Sequence, residues 1–218
     1  MKSTLGGFVV SYKKAWTGKQ KAVAKAYGDF ETSYDMLRRW LTAVQFYMPG
    51  SVVEWDLRPN PQDGRTVIFN RVFWAFKPCI DAFAYLKPMI QVDGTHLYGK
   101  YKGKLLLAMA QDGNRNITPI ACAIVEEENE DAWGWFLILL RLRVVKDRQG
   151  LCLISDRGSG LMEAVKNPQV GWIPPFAHHV YCIRHLASNL NKKYSNKVLK
   201  KMFTNAGEIK KFIFYLFL

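Results

Sequence analysis

From Pro88 onward the chain reads as three β-type runs joined by turns, then a helix, a strand, a helix, a strand and a last helix. No other feature constrains the fold as much as that order. Runs at 89–93, 104–111 and 117–125 are separated by short polar stretches, so they form a meander of antiparallel neighbours. Asp112-Gly113-Asn114-Arg115-Asn116 is the tight turn between the second and third. A helix from about 131 places Trp133, Phe136, Leu137, Leu140 and Val144 at helical spacing and leads to a fourth strand at 151–155. Such a crossover brings the fourth strand parallel to the first. A short helix over 160–165, a fifth strand over 177–182 and a basic helical segment over 185–204 complete the order.

The expectation is an α/β fold: a ribonuclease H-like mixed five-stranded sheet flanked by helices. In that arrangement strands one and four are neighbours at the sheet centre. Two aspartates end these strands, Asp93 in Ile90-Gln91-Val92-Asp93-Gly94-Thr95 and Asp156 in Leu153-Ile154-Ser155-Asp156-Arg157-Gly158. A carboxylate ending a buried strand is costly unless it is paired, hydrogen-bonded or metal-bound. Either aspartate alone fits a turn. Brought together they repel unless a cation neutralises them, and Mg²⁺ or Mn²⁺ suits a few carboxylate oxygens, retained waters and a substrate phosphate. Asp93 and Asp156 are therefore the candidate metal ligands and catalytic residues, for phosphodiester chemistry of the two-metal kind.

Residues 1–86 read as a small helical and α+β module. A helix over 11–27 sets Ala15, Trp16, Ala22, Val23, Ala26 and Tyr27 on one side and stops at Gly28. Ser33 is placed to cap a second helix whose stripe is Leu37, Trp40, Leu41 and Val44, ending at Pro49-Gly50. Strands over 52–57 and 66–74 flank the turn-rich Asn60-Pro61-Gln62-Asp63-Gly64. Residues 87–185 are then the core, and 186–218 a basic helical segment that begins a truncated insertion. The acids from Glu126 to Asp131 complement a helix N-terminus and need no catalytic explanation.

The net charge of +13 favours a polyanionic partner. The excess is localised: residues 1–28 hold six lysines and no acid, and 186–218 hold Lys192, Lys193, Lys197, Lys200, Lys201, Lys210 and Lys211 against Glu208 alone. Two basic flanks around a carboxylate-bearing centre suit phosphates gripped outside a metal site. Cys79, Cys122, Cys152 and Cys182 are scattered and read as thiols in a reducing compartment. The apolar run from Phe212 to Leu218 is too short to span a bilayer, so no membrane partner is expected.

Five segments in order strongly resemble plant Mutator-like element transposases: Val92-Asp93-Gly94-Thr95-His96-Leu97-Tyr98-Gly99-Lys100-Tyr101, Ala123-Ile124-Val125-Glu126-Glu127-Glu128-Asn129, Asp131-Ala132-Trp133-Gly134-Trp135-Phe136, Ile154-Ser155-Asp156-Arg157 and Tyr181-Cys182-Ile183-Arg184-His185. The resemblance covers roughly residues 10–205. It implies a DDE transposase (MULE/MuDR type) that uses a divalent metal to cut at terminal inverted repeats and join 3′ ends to target DNA. Nuclear localisation and self-association of a full-length enzyme follow from it. Asp93 and Asp156 match the first two catalytic acids. Cys182 and His185 match the family's C-x-x-H motif. Two ligands are half a structural zinc site, to which His178 or His179 could add another. The preferred reading is a strand-end thiol and a helix-start histidine that orients catalytic groups or contacts phosphate, without zinc.

The chain departs from the family at the third acid, a glutamate on a late helix. After Asp156 only Glu163 and Glu208 remain, the first placed as a solvated helix residue and the second in basic sequence. The amino-terminal DNA-binding region and the zinc-binding SWIM segment of the family have no counterpart here, so the expectation is a fragment, inactive alone. A domesticated nuclear DNA-binding or transcriptional regulator is the alternative. A ribonuclease or resolvase on the same fold is a weaker third reading.

Overall fold

The computed structural model describes residues 3–5, 8–28, 30–98 and 102–209. Its centre is a seven-stranded mixed sheet, and two short strands, β1 (Ser3–Leu5) and β2 (Phe8–Val10), form a separate antiparallel pair. Helix α1 (Tyr12–Tyr27) is capped by Ser11, whose side chain accepts from the Lys14 N–H. Helix α2 (Phe30–Tyr47) starts a turn earlier than Ser33, which lies inside it. Strands β3 (Val52–Pro59) and β4 (Val67–Ala75) follow, then helix α3 (Lys77–Ala82) and a 3₁₀ turn (Phe83–Tyr85).

The core meander is β5 (Met89–His96), β6 (Lys104–Gln111) and β7 (Ile117–Val125), all antiparallel. Helix α4 (Glu130–Leu140) crosses over, ends in a π turn (Arg141–Val145) and delivers β8 (Leu151–Ser155) parallel to β5. Helix α5 (Ser159–Lys166) leads to β9 (Ala177–Tyr181), parallel to β8. The basic segment folds as two helices, α6 (Ile183–Tyr194) and α7 (Lys197–Ile209), because Ser195 turns the chain at φ +50°. Among the described residues no helix is long and apolar enough to cross a membrane.

The strand order is β3-β4-β7-β6-β5-β8-β9. The five expected strands lie in the ribonuclease H-like arrangement, with first and fourth adjacent. The sheet continues for two more strands because β4 pairs with β7, Val72 opposite Ile124 and Trp74 opposite Cys122. A free edge on β7 would leave backbone donors and acceptors unpaired, and the front hairpin fills it. The hairpin read as part of a front module thus extends the core sheet.

Alternation along the strands divides the apolar residues between two faces. Ile90, Val92, Leu106, Ala108, Ala123 and Leu153 pack with Phe136, Leu137, Leu140 and Leu161 of α4 and α5. Leu105, Cys122 and Ile124, one step out of phase, pack with Val72, Trp74 and Leu41 of α2. Helices therefore cover both faces, as an apolar-on-both-sides meander requires. Trp40 of α2 stays 45% exposed while meeting Trp74 edge-on at 6.3 Å, so this tryptophan closes the rim of the core.

Candidate active site

Strand register brings the two aspartates together. On β5 and β8, Met89 pairs with Cys152, Ile90 with Leu153 and Gln91 with Ile154. Carried two residues further, that register sets Asp93 beside Asp156. In-register residues on adjacent parallel strands face the same side. β5 does not end at Asp93: it stays paired to β6 through Gly94, Thr95 and His96, while β8 stops at Ser155. The notch left where β8 ends is where both carboxylates sit.

Each carboxylate is held by a nearby backbone N–H. Gly94 donates to Asp93 Oδ1 at 3.0 Å, and Gly158 donates to Asp156 Oδ1 at 3.0 Å. Asp93 is 37% exposed, enough for solvent or a cation to reach it. Partial burial pushes its carboxyl above the usual range, and the neighbouring Asp156 and Glu128 carboxylates add to the rise. His185 and the Gly94 N–H oppose it. Two carboxylates in one another's field are the condition under which a divalent cation is most favoured.

The C-x-x-H motif spans the join between β9 and α6. Cys182 is the buried N-cap residue of α6, and its N–H donates to the Ser155 carbonyl at 2.6 Å. His185 follows in the first helical turn, and its Nε2 lies 3.9 Å from Asp93 Oδ2. Its Nδ1 is buried without a hydrogen-bond partner. The motif therefore brings its histidine to the first aspartate. His179 instead bonds Ser155 Oγ at 2.7 Å, and burial lowers its pKa, while His178 points to the exposed side. Among the described residues no three His, Cys, Asp or Glu side chains gather closely enough to hold a metal by themselves. Glu163 is exposed and pairs with Lys166 at 2.8 Å. Glu208 lies in α7, with its side chain outside the described residues.

The acidic run before α4 does more than complement a helix dipole. Arg71 of β4 is 3% exposed, and its guanidinium donates to Glu126 and to Asp131 Oδ2, the latter at 2.6 Å. The hydrogen bonds to Glu126 raise its pKa against the opposing effect of burial, with Asp131 adding to the rise. Glu128 turns the other way. A Cβ placed on Gly94 would lie 2.6 Å from Glu128 Oε1, so the carboxylate occupies the space a side chain would fill beside Asp93. Lys104 Nζ lies 3.4 Å from that oxygen and 3.1 Å from His96 Nε2. Neither Arg71 nor the Glu128 contact is signalled by local spacing, since their partners lie far off in sequence.

A seven-stranded mixed sheet flanked by helices, with Asp93 on β5 and Asp156 just past the end of β8, is an α/β arrangement consistent with a ribonuclease H-like transposase fold. Residues 89–189 match the family model of the MULE transposase domain, just under half of the chain. Asp93, Asp156, Cys182 and His185 all fall inside that segment, and the match supports a Mutator-like transposase. No curated protein matches the chain.

Proposed function

We propose that this chain is the core of a Mutator-like DDE transposase, in which Asp93 and Asp156 hold Mg²⁺ or Mn²⁺ for DNA cleavage and strand transfer. The observation that carries the reading is the β5–β8 register, which aligns the two aspartates inside the segment matched to the MULE domain. The donor set fits the ion: hard carboxylate oxygens, partly exposed and close enough to repel. A bound divalent ion would supply charge neutralisation at the scissile phosphate. The protein's own part is to keep both carboxylates oriented through the Gly94 and Gly158 amides, with His185 beside Asp93.

DNA is the partner, at terminal inverted repeats and target, in the nucleus, with self-association in the full-length enzyme. Helix α6 runs from the site outward, and Lys192 lies seven residues beyond His185, on the same helical face. Exposed Lys193, Lys197 and Lys201 continue the basic surface. A second reading, a domesticated nuclear DNA-binding regulator, is favoured by Glu163 being exposed and paired with Lys166. Reading the inverted repeats around the gene separates the two.

Replacing Asp93 or Asp156 with asparagine is expected to abolish Mn²⁺ and Mg²⁺ binding, measured by calorimetric titration. Unchanged binding in both variants would sink the metal-site reading. Duplex-DNA affinity is expected to fall by orders of magnitude, roughly 10³-fold, between 50 and 200 mM salt if about six phosphates are neutralised. Affinity flat over that range would contradict a phosphate-gripping surface.

A further inference from the structure

We infer that Glu128 is a third acidic group of the Asp93–Asp156 site, its carboxylate accepting hydrogen bonds from the water shell of a cation held there. The inference rests on the metal-site reading of the two aspartates and adds a residue that the DDE pattern does not supply.

Two glycine contacts fix the loop that carries Glu128, one behind each aspartate. Gly94 directly follows Asp93, and a Cβ there would come within 2.6 Å of Glu128 Oε1 and 2.7 Å of its carboxyl carbon. Gly160 follows Asp156 by four residues, and a Cβ there would strike the backbone of the same loop, 2.6 Å from the Asn129 carbonyl carbon and 2.8 Å from the Glu128 carbonyl oxygen. The loop is thus seated against both strand ends, and of its acids Glu126 is taken up by Arg71 while Glu127 is exposed. Glu128 is 31% exposed and faces Lys104 at 3.4 Å, longer than a strong charge-assisted hydrogen bond. The carboxylate thus stands both against Lys104 and beside Gly94, next to Asp93. Glu128 acts one water further out, where a hydrated hard cation keeps several waters.

The competing account is that Glu128 only neutralises Lys104, and charge substitutions separate the two. Mn²⁺ titration of the whole chain is expected to show about tenfold or greater weakening in Glu128→Gln, the scale typical of groups that orient a metal's ligands. Lys104→Met should bind Mn²⁺ at least as tightly as the unmodified chain, since it removes a nearby positive charge. Glu163→Gln, on the outer face of α5, should bind unchanged.

Glu128→Gln binding as tightly as the unmodified chain overturns the inference, and so does Lys104→Met losing as much affinity as Glu128→Gln. Loss in the Asp93→Asn and Asp156→Asn variants with none in Glu128→Gln rejects Glu128 while leaving the aspartate site standing. Retained binding in both aspartate variants, or no Mn²⁺ binding by the unmodified chain, removes both. Thermal unfolding checks each variant. If Glu128→Gln does not fold, Gly94→Ala replaces it: its Cβ displaces the carboxylate without changing any charge, and unchanged affinity there overturns the inference.

Discussion

Trp172→Ala is expected to destabilise the fold by about 3–5 kcal/mol, the range for truncating a large buried aromatic. Trp172 is fully buried in the connection between α5 and β9 and is the largest of the fully buried side chains. Its indole N–H donates to the Leu137 carbonyl at 3.0 Å, near the end of α4 where the helix passes into a π turn. Arg141 stacks over the ring at 4.5 Å while its Nε and Nη1 donate to the Gly171 and Arg148 carbonyls. Truncation therefore opens a cavity, leaves a buried carbonyl with one donor fewer and removes the surface on which a guanidinium rests. Chemical denaturation measures the loss. Trp172→Phe should recover most of it and retain a deficit of about 1 kcal/mol for the missing N–H. A loss below about 1 kcal/mol in the alanine variant would mean that the α5–β9 connection repacks freely.

Gly160→Ala is expected to reverse the usual helix rule. Alanine in place of glycine within a helix ordinarily gains up to about 1 kcal/mol. Here the added methyl would lie 2.6 Å from the Asn129 carbonyl carbon and 2.8 Å from its Cα, both backbone atoms that cannot swing aside. Overpacking of this kind costs about 1–3 kcal/mol and sometimes more, so the collision outweighs the propensity gain. Asn129 is also the cap of α4, its Oδ1 accepting from the Ala132 N–H at 2.8 Å, and a displaced loop loses that bond. The net expectation is a loss of about 2–3 kcal/mol in thermal or urea unfolding, with weaker Mn²⁺ binding because Glu128 moves with the loop. Larger residues at 160 should do worse. A stabilised Gly160→Ala protein would show that α5 and the α4 entry are not in contact.

Much of this architecture is legible in the sequence because the signals are local. The meander shows as apolar runs bounded by turn residues, and helix α4 as Trp133, Phe136, Leu137 and Leu140 recurring at helical spacing. Strand order follows from the lengths of the connections, since a turn of a few residues permits only an antiparallel neighbour. The aspartates stand out because a carboxylate at the end of an apolar run conflicts with its surroundings. Ser33 misleads as a cap because it is an ordinary cap residue that α2 passes through, beginning at Phe30. The front hairpin gives no sequence hint that β4 will pair with β7, since edge-to-edge pairing depends on which strand edges are left open.

By itself the sequence determined the order of the core elements, the two candidate ligands, the C-x-x-H motif and the basic flanks. Periodicities of two and 3.6 and the composition of turns are written in neighbouring residues. Only the tertiary structure decided that β5 and β8 pair in the register that leads to Asp93 and Asp156, that His185 reaches Asp93, that Arg71 is buried against Glu126 and Asp131, and that Glu128 fills the space left by Gly94. Those relations join residues from different strands and loops. Sheet register and close backbone approach set them, and neither leaves a local trace in the chain.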